Sequence, residues 1–143
     1  MNRLIGLLLV VLSSVSYAKD IDSAAGFLAD FLSGHYTLVG KAVNSNATYT
    51  GKVTLYQEHG ALKVKRAINN RVVLADATLE KSFSGDADVL KIQFTDNGVN
   101  YKESCLFSGD LDNYARISCY LYMADGETNS RGLETFFIDP VPR

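Results

Sequence analysis

Cysteine has the most clearly defined chemistry in this chain, which contains two cysteines, Cys105 and Cys119. They lie on either side of a turn rich in Gly, Asp and Asn, in two segments of alternating polarity, and this pattern is typical of a β-hairpin. A turn centred on Asp112 places the cysteines opposite each other. Directly opposed residues have Cβ atoms about 4.5–5.5 Å apart, close to the ~3.5–4.5 Å of a disulfide. The spacing therefore predicts one disulfide between neighbouring strands. The same register predicts the pairs Phe107–Ile117, Glu103–Leu121 and Tyr101–Met123.

Two charged residues, Arg66 and Glu103, occupy inward-facing positions in segments of alternating polarity whose other inward residues are apolar. They can be a buried ion pair, the polar groups of a ligand cavity, or the result of a register slip or bulge that would move either side chain to the surface. If both point inward they should lie near each other or near a rim, because an unpaired buried charge is strongly destabilising. In a hollow interior they would be the polar groups of an apolar pocket. The predicted ligand-binding residues are Tyr49, Val53, Leu62, Val64, Arg66, Leu90, Ile92, Phe94 and Glu103.

A second candidate site lies on the outward face of the cysteine hairpin, opposite to the face that carries the cysteines. Tyrosine and arginine, the types enriched at binding hot spots, dominate this outward face. Tyrosine is also a favoured strand residue on half-exposed surfaces, so ordinary packing is the alternative. The predicted partner-binding residues are Tyr114, Arg116, Tyr120 and Tyr122.

Other chemistry has little support in the sequence. His35 and His59 are the only histidines and are not at a metal-ligand spacing. The pair Asp110 and Asp112 flanks a turn, where acids usually bind local backbone. The chain has no nucleophile elbow and no phosphate-binding glycine loop, and its net charge of −2 does not favour nucleic acid. We therefore expect no enzyme activity, no metal and no cofactor.

The first residues indicate export. Arg3 is followed by the apolar run Leu4 to Leu12, which is too short to span a membrane, and by Ser16-Tyr17-Ala18. This pattern predicts a signal peptide over residues 1–18 and a single exported domain over residues 19–143. With an even number of cysteines, we expect a disulfide-bonded protein in the periplasm or secreted, without a membrane-spanning segment after cleavage. Asn46-Ala47-Thr48 would be a glycosylation sequon in a eukaryotic host.

The elements that must position these residues are one helix and eight strands. Apolar residues recur at helical spacing from Asp20 to Ser33, with Ile21, Leu28, Phe31 and Leu32 on one stripe. The predicted strands are His35–Lys41, Thr48–Gln57, Ala61–Ile68, Arg71–Leu79, Asp88–Phe94, Val99–Phe107, Tyr114–Met123 and Gly132–Ile138. The short links between them favour antiparallel neighbours, and closure removes open edges. The sequence therefore predicts an all-β fold, an eight-stranded antiparallel up-and-down barrel with one short N-terminal helix, with a two-sheet sandwich as the alternative.

A helix followed at once by Gly34-His35-Tyr36 resembles the start of lipocalins and their calycin relatives. The resemblance extends to the meander of eight strands and to Arg131 before the last strand, and it implies that Arg131 packs over Tyr36. The chain departs from the family in having no tryptophan and no helix after the last strand. The resemblance implies a lipocalin-like barrel that carries a ligand.

Two functions follow from these observations. The first is an exported non-catalytic binding protein that carries a small apolar ligand inside a lipocalin-like barrel. The alternative is a protein-binding module, such as an inhibitor of an envelope-directed hydrolase, which would use its outer surface to bind an envelope protein. An enzyme ranks third.

Overall fold

The chain closes into an antiparallel barrel in which each strand pairs with the next and β8 pairs with β1. The computed structural model describes residues 18–109 and 115–139, so the predicted signal peptide falls almost entirely outside the described residues. The elements are α1 (Ala18–Leu32), β1 (Gly34–Lys41), β2 (Thr48–Glu58), β3 (Ala61–Ile68), β4 (Arg71–Lys81), β5 (Asp88–Asp96), β6 (Val99–Gly109), β7 (Ala115–Met123) and β8 (Gly132–Ile138). The predicted up-and-down barrel with one short helix is confirmed, and closure excludes the sandwich.

Three two-residue turns explain why the strands form a meander. His59-Gly60, Asn69-Asn70 and Asn97-Gly98 connect consecutive strands, and all six residues have positive φ. Two successive residues with positive φ make a type I′ turn, whose twist matches that of antiparallel strands. Asn and Gly tolerate this backbone region best. The turn residues therefore force β2–β3, β3–β4 and β5–β6 to be hairpins.

The cysteine hairpin has the predicted register. Cys105 lies opposite Cys119, Phe107 opposite Ile117, and Glu103 opposite Leu121. The two cysteines form a disulfide, and both are buried inside the barrel. The predicted disulfide is confirmed, and it links neighbouring strands β6 and β7.

Helix α1 packs on the end of the barrel where β1 begins. Leu32 is fully buried, Ala29 is buried, and Phe31 packs against the core. The Tyr36 hydroxyl donates a hydrogen bond of 2.8 Å to the Leu32 carbonyl oxygen, which fixes the last helical turn on β1. Of the predicted apolar stripe, Leu28 is only partly buried.

The half of the barrel nearest the helix is solid. Its interior is filled by branched and aromatic side chains, each with less than 2% of its surface exposed. Those side chains are Tyr36, Leu38, Val53, Leu55, Val64, Leu90, Ile92, Ile117 and Phe136. Any interior space must therefore lie at the other end, which we call the mouth, where β1 ends and the β3–β4 turn lies.

Candidate functional site: the barrel mouth and its buried charge cluster

A buried cluster of one arginine and two glutamates lies in the barrel interior. Arg66 Nη1 donates to Glu103 Oε1 at 2.5 Å and to Glu134 Oε2 at 2.8 Å, and Nη2 donates to Glu134 Oε1 at 2.6 Å. The Arg66 side chain is 4% exposed, and both carboxylate side chains are 0% exposed. Glu134 thus receives a bidentate pair, the strongest form of arginine–carboxylate contact. We refer to these three residues as the Arg66 cluster.

The barrel brings the cluster together from distant strands. Arg66 lies on β3, whereas Glu103 lies on β6 and Glu134 on β8. All three point inward because each falls on the interior parity of its strand. The Arg66 side chain therefore crosses the lumen, and its guanidinium stacks on the Phe94 ring with Cζ 4.1 Å from the ring centroid.

A glycine lets a fourth residue join the cluster. Gly40 on β1 lies opposite Tyr49 on one side and Glu134 on the other. A Cβ atom at Gly40 would lie 2.6 Å from the Tyr49 ring, so the ring occupies the space that any other residue would fill. The Tyr49 ring thereby crosses β1, and its hydroxyl donates a hydrogen bond to Glu134 Oε1.

Burial and mutual attraction set the protonation of the cluster. Burial raises the pKa of Glu103 well above its usual range, the nearby Glu134 carboxylate raises it further, and Arg66 opposes both. Burial lowers the pKa of Arg66, but Glu103 and Glu134 outweigh this effect and raise it above its ordinary value. Burial, together with the charge of Glu134, also raises the pKa of Tyr49. Arg66 therefore stays charged, and its single positive charge faces two carboxyl groups, of which burial favours the protonated form of Glu103.

A pocket of about 320 Å³ lies directly above the cluster, at the mouth. Its walls include the aromatic rings of Tyr49, Phe94 and Tyr101, and Arg66 forms part of its floor. The Phe94 and Tyr101 rings are stacked, with centroids 5.3 Å apart. At the rim, Arg71 and Asp96 form an ion pair of 2.9 Å. The other lining residues are Ala42, Val43, Ala47, Thr48, Ile68, Asn69 and Leu121.

The structure separates the predicted ligand-binding residues into three groups. Tyr49, Arg66 and Phe94 line the pocket. Glu103 lies behind Arg66 in the cluster, and both charges point inward, which excludes the register slip considered above. Val53, Leu62, Val64, Leu90 and Ile92 pack in the core and do not line the pocket.

The alternating pattern did not reveal Glu134. In β8 the outward residues Leu133 and Phe137 are as apolar as the inward residues Phe136 and Ile138, so the parity of this strand was ambiguous. No sequence signal pointed to Glu134, because Arg66 and Glu103 taken alone already make a neutral ion pair.

The predicted partner-binding residues lie on an outer face that we call the β7 face, although Tyr114 lies outside the described residues. Arg116 and Tyr120 are exposed and Tyr122 is partly exposed. Arg131 stacks on Tyr120, with Cζ 3.8 Å from the ring centroid. The implied packing of Arg131 over Tyr36 is therefore wrong, because Tyr36 is fully buried and bonded to the helix.

Metal binding has no support among the described residues. Glu103, Cys105 and Cys119 form a compact group of potential ligand atoms, but both cysteines are consumed by the disulfide. Within residues 18–109 and 115–139, no helix has the length and apolar character needed to cross a membrane.

Neither the protein-family models nor the curated proteins give a match to this chain.

Proposed function

We propose that this protein is an exported, non-catalytic binding protein that holds a small, uncharged, largely apolar ligand in the barrel mouth. The observation that carries the proposal is a pocket of about 320 Å³ with aromatic walls above a charge-neutral floor. Concave sites that combine aromatic side chains with a few fixed polar groups are typical of small-molecule binding. The barrel plan is compatible with a lipocalin-like carrier, and the buried disulfide suits the periplasm or an extracellular space.

The size of the pocket limits the ligand. Its volume lies at the lower end of the range for small-molecule sites, which is about 300–1,000 Å³, and the solid core beneath the cluster prevents a long chain from entering. A compact ligand of one or two rings fits better than a fatty acid. With about a dozen non-hydrogen atoms at ~0.5–0.7 kcal/mol each, such a ligand binds with a Kd in the micromolar range.

Titration with 6-propionyl-2-(dimethylamino)naphthalene, a neutral two-ring ketone whose fluorescence reports an apolar site, tests this proposal. We expect saturable binding, and we expect Ile68→Trp to abolish it because Ile68 lines the pocket. Lys65→Trp is the matched control, since Lys65 is exposed on the same strand. Binding that survives Ile68→Trp, with an unchanged affinity, would contradict a site in the mouth. Native mass spectrometry of protein from its own host would then identify the natural ligand.

A second candidate function is the binding of an acidic protein partner on the β7 face. Of nine exposed large hydrophobic residues described, five cluster here, namely Val39, Leu106, Tyr120, Leu133 and Phe137. The strand register places them around the small residues Ser118 and Thr135. Lys41, Lys102, Arg116 and Arg131 surround this cluster and, among the described residues, form no ion pair. A basic rim around apolar anchors complements an acidic surface and disfavours self-pairing of this face.

This second function is tested with purified candidate hydrolases from the cell envelope. Leu133→Ala with Phe137→Ala should weaken binding at least tenfold without changing stability. The control is Val72→Ala with Leu74→Ala, because these apolar residues are also exposed, to a somewhat greater extent, on another face. Equal binding by both double variants would contradict a site on the β7 face.

A further inference from the structure

The hydrogen bonds of Arg66 leave part of its guanidinium unused. An arginine has five N–H donors, and three of those of Arg66 are bonded to Glu103 and Glu134. The donors without an acceptor among the described residues are Nε–H and one N–H of Nη2. Because the described residues include no buried side-chain nitrogen or oxygen without a partner, Nε is not sealed in the core. Arg66 lines the mouth pocket, so this edge of the guanidinium meets the pocket.

The charge of that guanidinium is already compensated. Two carboxyl groups lie behind Arg66, and both are fully buried. With one positive charge and two acids, the cluster has no net positive charge in any protonation state that keeps Glu134 ionised. The pocket floor therefore offers N–H donors but no net positive charge that would attract an anion. A cation is disfavoured as well, because it would meet these donors before it could reach the carboxyl groups.

We propose that the mouth recognises ligands through a neutral oxygen acceptor, a ketone or amide carbonyl, that accepts a hydrogen bond from the free edge of Arg66. This inference rests on the proposed ligand-binding function and names its ligand class: compact aromatic or cyclic carbonyl compounds. The site rejects the matching hydrocarbon because binding it would leave a charged donor without a partner in a desolvated pocket. It rejects the matching carboxylate because desolvation of the anion has no net positive charge to offset it.

The walls of the pocket fix the orientation of such a ligand. Phe94 and Tyr101 form a stacked pair on one side of the pocket, and Arg66 lies over the Phe94 ring. A planar ring packed against the edges of these side chains, beside Arg66, directs a carbonyl substituent toward the guanidinium edge. The aromatic neighbours thus provide apolar contact area, and the hydrogen bond from Arg66 fixes the orientation of the ligand.

Three matched probes test the inference without altering the cluster. Acetonaphthone carries the carbonyl, isopropenylnaphthalene replaces its oxygen with a methylene group, and naphthoate replaces its methyl group with a negatively charged oxygen. We expect acetonaphthone to bind at least tenfold more tightly than either of the other two, since a hydrogen bond from a charged donor has this magnitude. In proton–nitrogen correlation spectra, the Nε–H signal of Arg66 should move downfield with acetonaphthone only.

The possible outcomes separate the two proposals. If acetonaphthone and isopropenylnaphthalene bind within twofold of each other, the carbonyl inference is wrong but a ligand site in the mouth stands. If naphthoate binds most tightly, the argument from charge neutrality is wrong. If no probe moves any signal of the mouth residues, both the inference and the proposed function are contradicted. Tighter binding of the ketone without a change at Arg66 Nε–H would assign the selectivity to another group and overturn the role of Arg66.

Discussion

Replacing Arg66 with methionine perturbs the cluster most strongly. Met fills similar space but removes all three hydrogen bonds to the carboxyl groups. Burial raises the pKa of Glu103 and so favours its protonated form in the folded protein. Without Arg66, Glu134 has no charged partner among the described residues, and it must either remain ionised in an apolar site or take up a proton. Either outcome destabilises the folded state.

The size of the effect follows from the proton that Glu134 must bind. Protonating a glutamate of ordinary pKa, ~4.3, costs about 1.4 kcal/mol for each pH unit above that value. The predicted loss is therefore about 4.5 kcal/mol at pH 7.5 and about 1.7 kcal/mol at pH 5.5. The first value agrees with the ~3–5 kcal/mol expected when a buried ion pair loses one partner.

Urea denaturation at both pH values measures the effect. Lys65→Met is the control, and since Lys65 is exposed on the same strand we expect a change below about 0.5 kcal/mol. A third variant that combines Arg66→Met with Glu103→Leu and Glu134→Leu should recover most of the loss, because an apolar replacement leaves no charge unpaired. A loss for Arg66→Met below about 1 kcal/mol that is the same at both pH values would refute the reasoning.

Three further predictions concern the disulfide, the helix and the protonated glutamate. Serine at both Cys105 and Cys119 should lower the free energy of unfolding by about 3 kcal/mol, since the bridge closes a loop of about fifteen residues; denatured, unreduced protein should contain no titratable thiol, and two thiols would contradict the disulfide. Leu32→Ala should cost about 2–5 kcal/mol because Leu32 is fully buried, whereas Phe27→Ala at a site 70% exposed should cost little; equal effects in thermal melts would show that the helix does not close the barrel. The raised pKa of Glu103 means that the folded state is favoured by protonation, so this contribution is fully present below pH ~4.3 and is lost as the pH rises toward the folded pKa. Glu103→Gln should therefore gain stability relative to the natural chain as the pH rises, by at most about 1.4 kcal/mol per pH unit, and a constant difference from pH 5 to 9 would contradict the assignment.

Much of the fold was predictable because local signals agreed. The alternation of polarity and the Asn/Gly turns specified the same hairpins, the cysteines fixed the register of β6 and β7, and the predicted strands end within two residues of the observed ones. Closure followed from the number of strands and their short links. Arg131 shows the limit of analogy, because its ring partner is Tyr120 and not Tyr36.

The candidate site was predictable only in part. Arg66 and Glu103 stood out because charges interrupted an apolar face, but the long-range contact that joins them to Glu134 depends on which strands face each other across the lumen. The extent of the pocket depends on side-chain volumes. Val53, Val64 and Ile92 point inward like Arg66, yet they fill the core on the helix side. An inward position in a strand does not by itself show whether a side chain lines a pocket or fills the core.

The most direct test of the central claim is a backbone NMR titration with acetonaphthone. We expect saturable shifts for the amides of Tyr49, Ile68 and Tyr101 at the mouth, and unchanged signals for Leu55 and Leu62 near the helix end. Saturable shifts confined to the helix end or to the β7 face, or no shift at millimolar probe, would contradict a ligand site in the barrel mouth.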